Sequence, residues 1–302
     1  MNDLYKTQVA LLIRIIPSVY MIKNFAIHGG TAINLFHKDM PRYSVDIDIT
    51  YMPVTERDES LKAINAHLLE LKQMIEKTIP GIRVTHKPDV WKLLCVKDGA
   101  AVKIEVNGTK RGIIGVTEDK QLCSKARSEF SMGCEARVVS FTELYGGKIS
   151  AALSRQHPRD LFDCKYMPLD SLDHAKDGLI FCLLGSDKPI IESLQPNIVD
   201  QQEALLNQFA GMTDLPFSYT DYEAIRSELI EKVNKILTED DRKFLVSFES
   251  GEPEWEKCCA GDLSEYPSIK WKLQNIVKLK ETDPKKFAAG VEKLGRFLFK
   301  VE

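Results

Sequence analysis

"FAIHGGTAINLFHKDMPRYSVDIDITYMP", residues 25–53, decides the fold. An apolar run, Phe25 to Ile27, ends in Gly29-Gly30-Thr31, and "TAINLFH" restarts as a helix with Thr31 near its N-terminus. "YSVDIDITY" then alternates with period two. Ser44, Asp46, Asp48 and Thr50 fall on one strand face, Val45, Ile47 and Ile49 on the other. Two carboxylates spaced this way stand about 7 Å apart at the backbone. Brought to about 4 Å, they repel by roughly 1 kcal/mol in water and roughly 4 at an effective dielectric of 20. A divalent cation between them turns that penalty into binding energy. An all-oxygen ligand set suits magnesium, which completes its shell with waters and substrate phosphates. Glycines admit close backbone approach, and N–H groups at a helix N-terminus attract phosphate oxygens. One short segment thus pairs a phosphate seat with a metal seat.

Outward from this stretch, residues 3–22 carry apolar side chains at helical spacing, and "ERDESLKAINAHLLELKQMIEKTI" is a second amphipathic helix closed by Pro80-Gly81. Three strand-like runs follow, "IRVTHK", "VWKLLCVK" and "AAVKIEV", the last two joined by the hairpin signal Asp98-Gly99. In the last, Glu105 lies opposite Val102, Ile104 and Val106 and supplies a third carboxylate, as a two-metal phosphoryl-transfer centre requires. The expected architecture is an α/β (α+β) domain with a mixed sheet over 1–139 and a mainly helical domain over 140–302. Helices are expected over 141–154, 158–167, 171–184, 198–210, 219–236, 238–249, 267–280 and 284–300. Ser140 with Glu143 has capping-box spacing, and Pro158, Pro267 and Pro284 suit first-turn positions.

Composition excludes several classes. Seven cysteines without a C-x-x-C pair argue for reduced thiols and a cytoplasmic setting, and six histidines in no ligand spacing argue against structural zinc. No stretch has the length and apolarity of a membrane span or the layout of a signal peptide, so no membrane partner is expected. A net charge of −3 makes the whole chain a poor electrostatic magnet for nucleic acid. The stretch from Pro267 onward is lysine-rich, which reads as a solvated helix face or as a phosphate-contact surface.

"IHGGTAINLF", "RYSVDIDI", "KIEVN" and "ELYGGKISAALSRQHPRDLFD", in this order, resemble the nucleotidyltransferase superfamily, in particular its AbiEii/AbiGii (MenT-like) toxin branch. The C-terminal "YPSIKWKLQNIVKL" and "DPKKF" resemble the same branch. One feature departs: the fifteen residues between Gly30 and Asp46 exceed the superfamily's usual spacing. The resemblance implies that Gly29, Gly30 and Thr31 hold the terminal phosphates of a nucleoside triphosphate. It makes Asp46 and Asp48 magnesium ligands and Glu105 a third ligand, the base for the acceptor hydroxyl, or both, with two ions alongside the bound nucleotide. Lys148 matches a lysine that contacts nucleotide phosphate, and Arg159, Asp160 and Asp163 match the "RDLFD" segment. Read from residues alone, Lys148 is a solvent-facing helical lysine, and Arg159 and Asp163 are an i,i+4 pair. Arg42 and Ser44 are candidates for positioning. His28 reads as packed, His157 as a loop residue, and Trp91, Trp255 and Trp271 as core or interface aromatics.

The expected activity is magnesium-dependent transfer of a nucleoside monophosphate to an acceptor hydroxyl with release of pyrophosphate. The resemblance suggests tRNA as acceptor and a toxin's role, countered by a cognate antitoxin. The alternatives are transfer to a small molecule or to a protein hydroxyl, and a nucleotide-binding module without turnover.

Overall fold

The computed structural model describes residues 2–167 and 171–300. The chain divides into two compact units, Met1–Ser140 with Leu206–Pro216, and Phe141–Leu205 with Phe217–Glu302.

In the first unit, α1 (Asp3–Met21) starts at Asn2, whose side chain accepts the Leu4 N–H. It buries Val9, Leu12, Ile13 and Ile16, one stripe at helical spacing. Then come β1 (Phe25–His28) and α2 (Gly29–Ala32), which runs on as a π-helical turn, Ile33–His37. Strand β2 (Asp46–Tyr51) precedes α3 (Arg57–Thr78), which buries Ile64, Leu68, Leu71 and Ile75. The rest of the unit is β3 (Arg83–Lys87), β4 (Lys92–Lys97), β5 (Ala100–Val106), β6 (Glu118–Gln121), α4 (Ser124–Phe130) and β7 (Glu135–Val138). The mixed sheet runs β3-β4-β5-β2-β1-β7-β6, with β2 parallel to β5, β1 parallel to β7, and the other neighbours antiparallel.

The two faces of the sheet have opposite chemistry. Ile47 and Ile49 of β2 and Val102 and Ile104 of β5 are fully buried. On that face α3 lays His67 against Phe25 and Tyr51, with ring centroids 5.5 and 6.4 Å away. Asp46, Asp48, Lys103 and Glu105 share the other face and stay partly exposed. Leu206–Pro216 is stitched to this unit by backbone bonds from Asn2 N–H to Gly211 O (2.8 Å) and Tyr43 N–H to Met212 O (2.7 Å).

The second unit is helical among its described residues: α5 (Phe141–Arg155), α6 (Pro158–Lys165), α7 (Ser171–His174), α8 (Lys176–Leu184), α9 (Ile190–Leu194), α10 (Gln202–Ala204), α11 (Tyr219–Ile236), α12 (Glu239–Glu249), α13 (Pro267–Thr282) and α14 (Pro284–Phe299). Helices α5 and α8 meet backbone to backbone at Gly146 and Gly178, where a Cβ on either glycine would collide with the other helix. Pro158, Pro267 and Pro284 open their helices, as expected. Capping boxes occur at Ser218/Asp221 and Thr238/Asp241. At Ser140 the hydroxyl donates to the Ile114 carbonyl at 3.0 Å.

Several expectations are corrected. The helix expected over 198–210 shortens to α10 followed by a π turn, the one over 171–184 breaks at Ala175, and β6, α4 and α9 were not expected. Strand β6 reads "EDKQ", without apolar alternation, because it is an edge strand that buries neither face. In the basic C-terminal stretch, Lys272 is buried and donates to the carbonyls of Leu183 (3.1 Å) and Lys188 (2.7 Å), while the other lysines are exposed. Trp255 packs on Phe244 and Phe248, Trp91 is half-buried, and Trp271 is exposed.

Candidate active site

The glycine turn and the aspartate strand are built against each other. Gly29 has φ +70°, and a Cβ there would lie 2.5 Å from Asp48 Oδ2. A Cβ at Gly30 would lie 2.8 Å from an Arg42 Nη atom and 2.9 Å from Ser44 Oγ. Position 29 therefore suits only glycine, while a side chain at Gly30 would make Arg42 or Ser44 shift. Gly29→Ala is expected to cost about 1–2 kcal/mol of stability from the left-handed backbone. By displacing Asp48 it should also lower transfer about 100-fold, measured as pyrophosphate release beside a thermal melt. The Thr31 hydroxyl donates to the Asp46 carbonyl at 2.5 Å and touches Ser44 Oγ at 3.0 Å. Asn34 Nδ2 donates to the Gly30 carbonyl at 2.9 Å, and buried Arg42 donates to the Tyr43 carbonyl at 2.8 Å. These bonds lock the turn, the strand entry and the segment between them into one body.

The register sets the charges. Asp46 is paired with Lys103, and Asp48 with Glu105 on one side and His28 on the other. His28, expected to be packed, is only half-buried and opposes an acid. The Glu105 carboxylate is already held by two ammonium groups, Lys92 Nζ at 3.0 Å and Lys103 Nζ at 3.1 Å. Burial pushes the Glu105 carboxyl up, but hydrogen bonds from Lys92 and Lys103 and their charges outweigh it and hold it below the usual carboxylate range. Burial pulls Lys103 down, while Asp46, Glu105 and Asp48 together raise its ammonium above the usual lysine range. Lys92 and Lys103 are the functional candidates that reading the sequence overlooked. Of Lys103, only its side of β5 was legible, since it alternates with Glu105 in "VKIEV" and so shares the face of Glu105.

The second unit holds a charged cluster of its own residues. Lys148 on α5 is buried, with Nζ 2.8 Å from Asp160 Oδ1 and 3.0 Å from Asp163 Oδ2, both carboxylates buried on α6. Arg155 donates from Nε to Asp160 Oδ2 at 2.6 Å and from Nη2 to Oδ1 at 3.1 Å. Burial drives the Asp160 carboxyl up, but the Lys148 charge and the Arg155 hydrogen bonds hold it far below the usual carboxylate range. Lys148 is thus not the solvent-facing lysine that its helix pattern suggested. Arg159 is half-buried on α6, and its backbone N–H donates to His157 Nδ1 at 3.1 Å, making His157 the N-cap of that helix.

The model of the family described as nucleotidyl transferase AbiEii toxin, type IV toxin–antitoxin system, matches residues 11–275. The chain belongs to the AbiEii family. The structure of MenT4, a nucleotidyltransferase toxin from Mycobacterium tuberculosis H37Rv, is similar in fold, with a TM-score of 0.61 at 13% identity. That match covers 90% of this chain and 93% of the other. No curated protein sequence matches the chain significantly. AbiEii membership makes the chain a nucleotidyltransferase and implies a nucleoside triphosphate substrate and a cognate antitoxin. Among the described residues no helix is long and apolar enough to cross a membrane.

Whether an AbiEii site of this geometry suits a divalent cation is decided by its donors. Asp46 and Asp48 project from one strand face, half-exposed, with Asp48 turned to the glycine turn. Two hard carboxylate donors open to a phosphate ligand fit a magnesium-like ion. Among the described residues no three His, Cys, Asp or Glu side chains converge as ready ligands, and each Glu105 oxygen already meets one lysine ammonium.

Proposed function

We propose that this chain transfers a nucleoside monophosphate from a nucleoside triphosphate to a hydroxyl of tRNA and releases pyrophosphate. The acceptor oxygen bonds to the α-phosphorus, the bond from that phosphorus to the bridging oxygen breaks, and the hydroxyl proton passes to a carboxylate of the site. The observation that carries the reading is the turn-and-strand unit, in which Asp48 packs directly on Gly29 while Asp46 is fastened through Thr31. Magnesium held by Asp46 and Asp48 would neutralise the triphosphate. Gly29 and Gly30 present backbone to the phosphates at the start of α2. Thr31 and Ser44 keep Asp46 in place, and Arg42 backs Gly30. The work asked of these groups is positioning and charge neutralisation. The assignment of Lys148, Arg159, Asp160 and Asp163 to nucleotide binding rests on the family pattern alone.

The test is incubation of the full chain with magnesium, each α-³²P-labelled nucleoside triphosphate in turn, and total cellular RNA. A labelled band of tRNA size is the expected result. Label on protein or on a small molecule would replace the acceptor, and pyrophosphate release from none of the four triphosphates would end the reading.

A further inference from the structure

The acids posed a problem of repulsion, and the structure contains an answer made of protein. On the polar face of the sheet two rows of charge cross the strands: Asp46 on β2 faces Lys103 on β5, and Asp48 on β2 faces Glu105 on β5, which faces Lys92 on β4. Lys103 is the register partner of Asp46, while its ammonium is tied 3.1 Å away to Glu105. Glu105 is also the partner of Lys92, which it meets at 3.0 Å. Each oxygen of Glu105 therefore faces one lysine ammonium. A carboxylate gripped on both oxygens by ammonium groups is poorly suited to ligate an ion, because an ion at Glu105 would sit against two positive charges.

Resting on the nucleotidyltransferase reading above, we infer that Lys103 stands where a second metal ion would otherwise be required. The site takes one divalent cation on Asp46 and Asp48, and Lys103, clamped by Glu105, is the fixed positive charge that meets the nucleotide's phosphates beside it. Glu105 is then a positioning residue acting through Lys103. A lysine is a compact charge on a flexible stem and suits a phosphate oxygen. It is present before the nucleotide arrives, so part of the triphosphate affinity requires no divalent ion.

The test counts ions without turnover. Mn²⁺ bound to the full chain is measured by electron paramagnetic resonance with each of the four α,β-methylene nucleoside triphosphates, using Asp46→Ala/Asp48→Ala as background. One ion per chain is expected in the wild type and two in Lys103→Met, with Lys103→Gln as a second variant and circular dichroism to verify folding. In EDTA, triphosphate affinity should fall about tenfold in both variants, about 1.4 kcal/mol. Two ions in the wild type, or one in both the wild type and the variants, would overturn the inference while leaving the nucleotidyltransferase reading intact. Unchanged EDTA affinity would overturn the phosphate contact. No ion in the wild type with any of the four analogues would remove the reading on which the inference rests.

Discussion

The Asp46→Ala/Asp48→Ala variant is expected to lose nucleotidyl transfer by about 10³-fold or more, roughly 4 kcal/mol of transition-state stabilisation, while melting at the wild-type temperature or slightly above it. Both halves come from the same geometry. The two carboxylates project from one face of β2, half-exposed and beside the glycine turn, so they are placed to bind rather than to fill a core. Their neighbours Ile47 and Ile49, on the other face, hold the strand in the sheet. Removing two like charges from one face relieves repulsion, although Lys103 then loses part of its negative surroundings. Pyrophosphate release and a calorimetric scan decide the matter together. Retained transfer would remove the aspartates from the chemistry, and a fall of many degrees would show that they are structural.

What could be read in advance follows from which forces are local. The period-two alternation of "SVDIDIT" sets Asp46 and Asp48 on one face whatever else the chain does, and the Gly-Gly turn is a local backbone requirement. The match of that stretch to a strand–turn–helix–strand order therefore survived folding. Register does not work this way. That Asp46 pairs with Lys103 and Asp48 with Glu105 is a property of two strands more than fifty residues apart, and no local pattern specifies it. Strand β2 alone contains no counter-charge on the face of Asp46 and Asp48, and Lys103 becomes a neighbour only after β2 and β5 align. The same holds for Leu206–Pro216, which joins the first unit through backbone bonds to Asn2 and Tyr43, and for edge strand β6, whose composition carries no apolar signal. Lys148 sits on an amphipathic helix and looked solvent-facing until α6 brought two carboxylates to it.

That last placement yields the largest stability effect. Lys148→Ala is expected to destabilise the protein by about 3 kcal/mol, because it withdraws a buried ammonium from two buried carboxylates. Lys148 lies 2.8 Å from Asp160 and 3.0 Å from Asp163, and burial costs these anions dearly unless a cation remains. Arg155 keeps its two bonds to Asp160, but its own side chain is 65% exposed and solvent screens it, so the compensation is partial. The pH dependence has a definite sign. Asp160 is depressed in the folded state, so its contribution is fully present above the unfolded carboxylate pKa, about 3.9. It is lost as pH falls below that value towards the depressed one. The wild type should therefore lose stability below about pH 4 more steeply than Lys148→Ala. Urea midpoints for both proteins at neutral pH and at acid pH test this. A neutral-pH difference under about 0.5 kcal/mol, the range of ordinary surface substitutions, would show that the cluster does not hold α5 to α6. Lys148 would then have to be explained by what it binds.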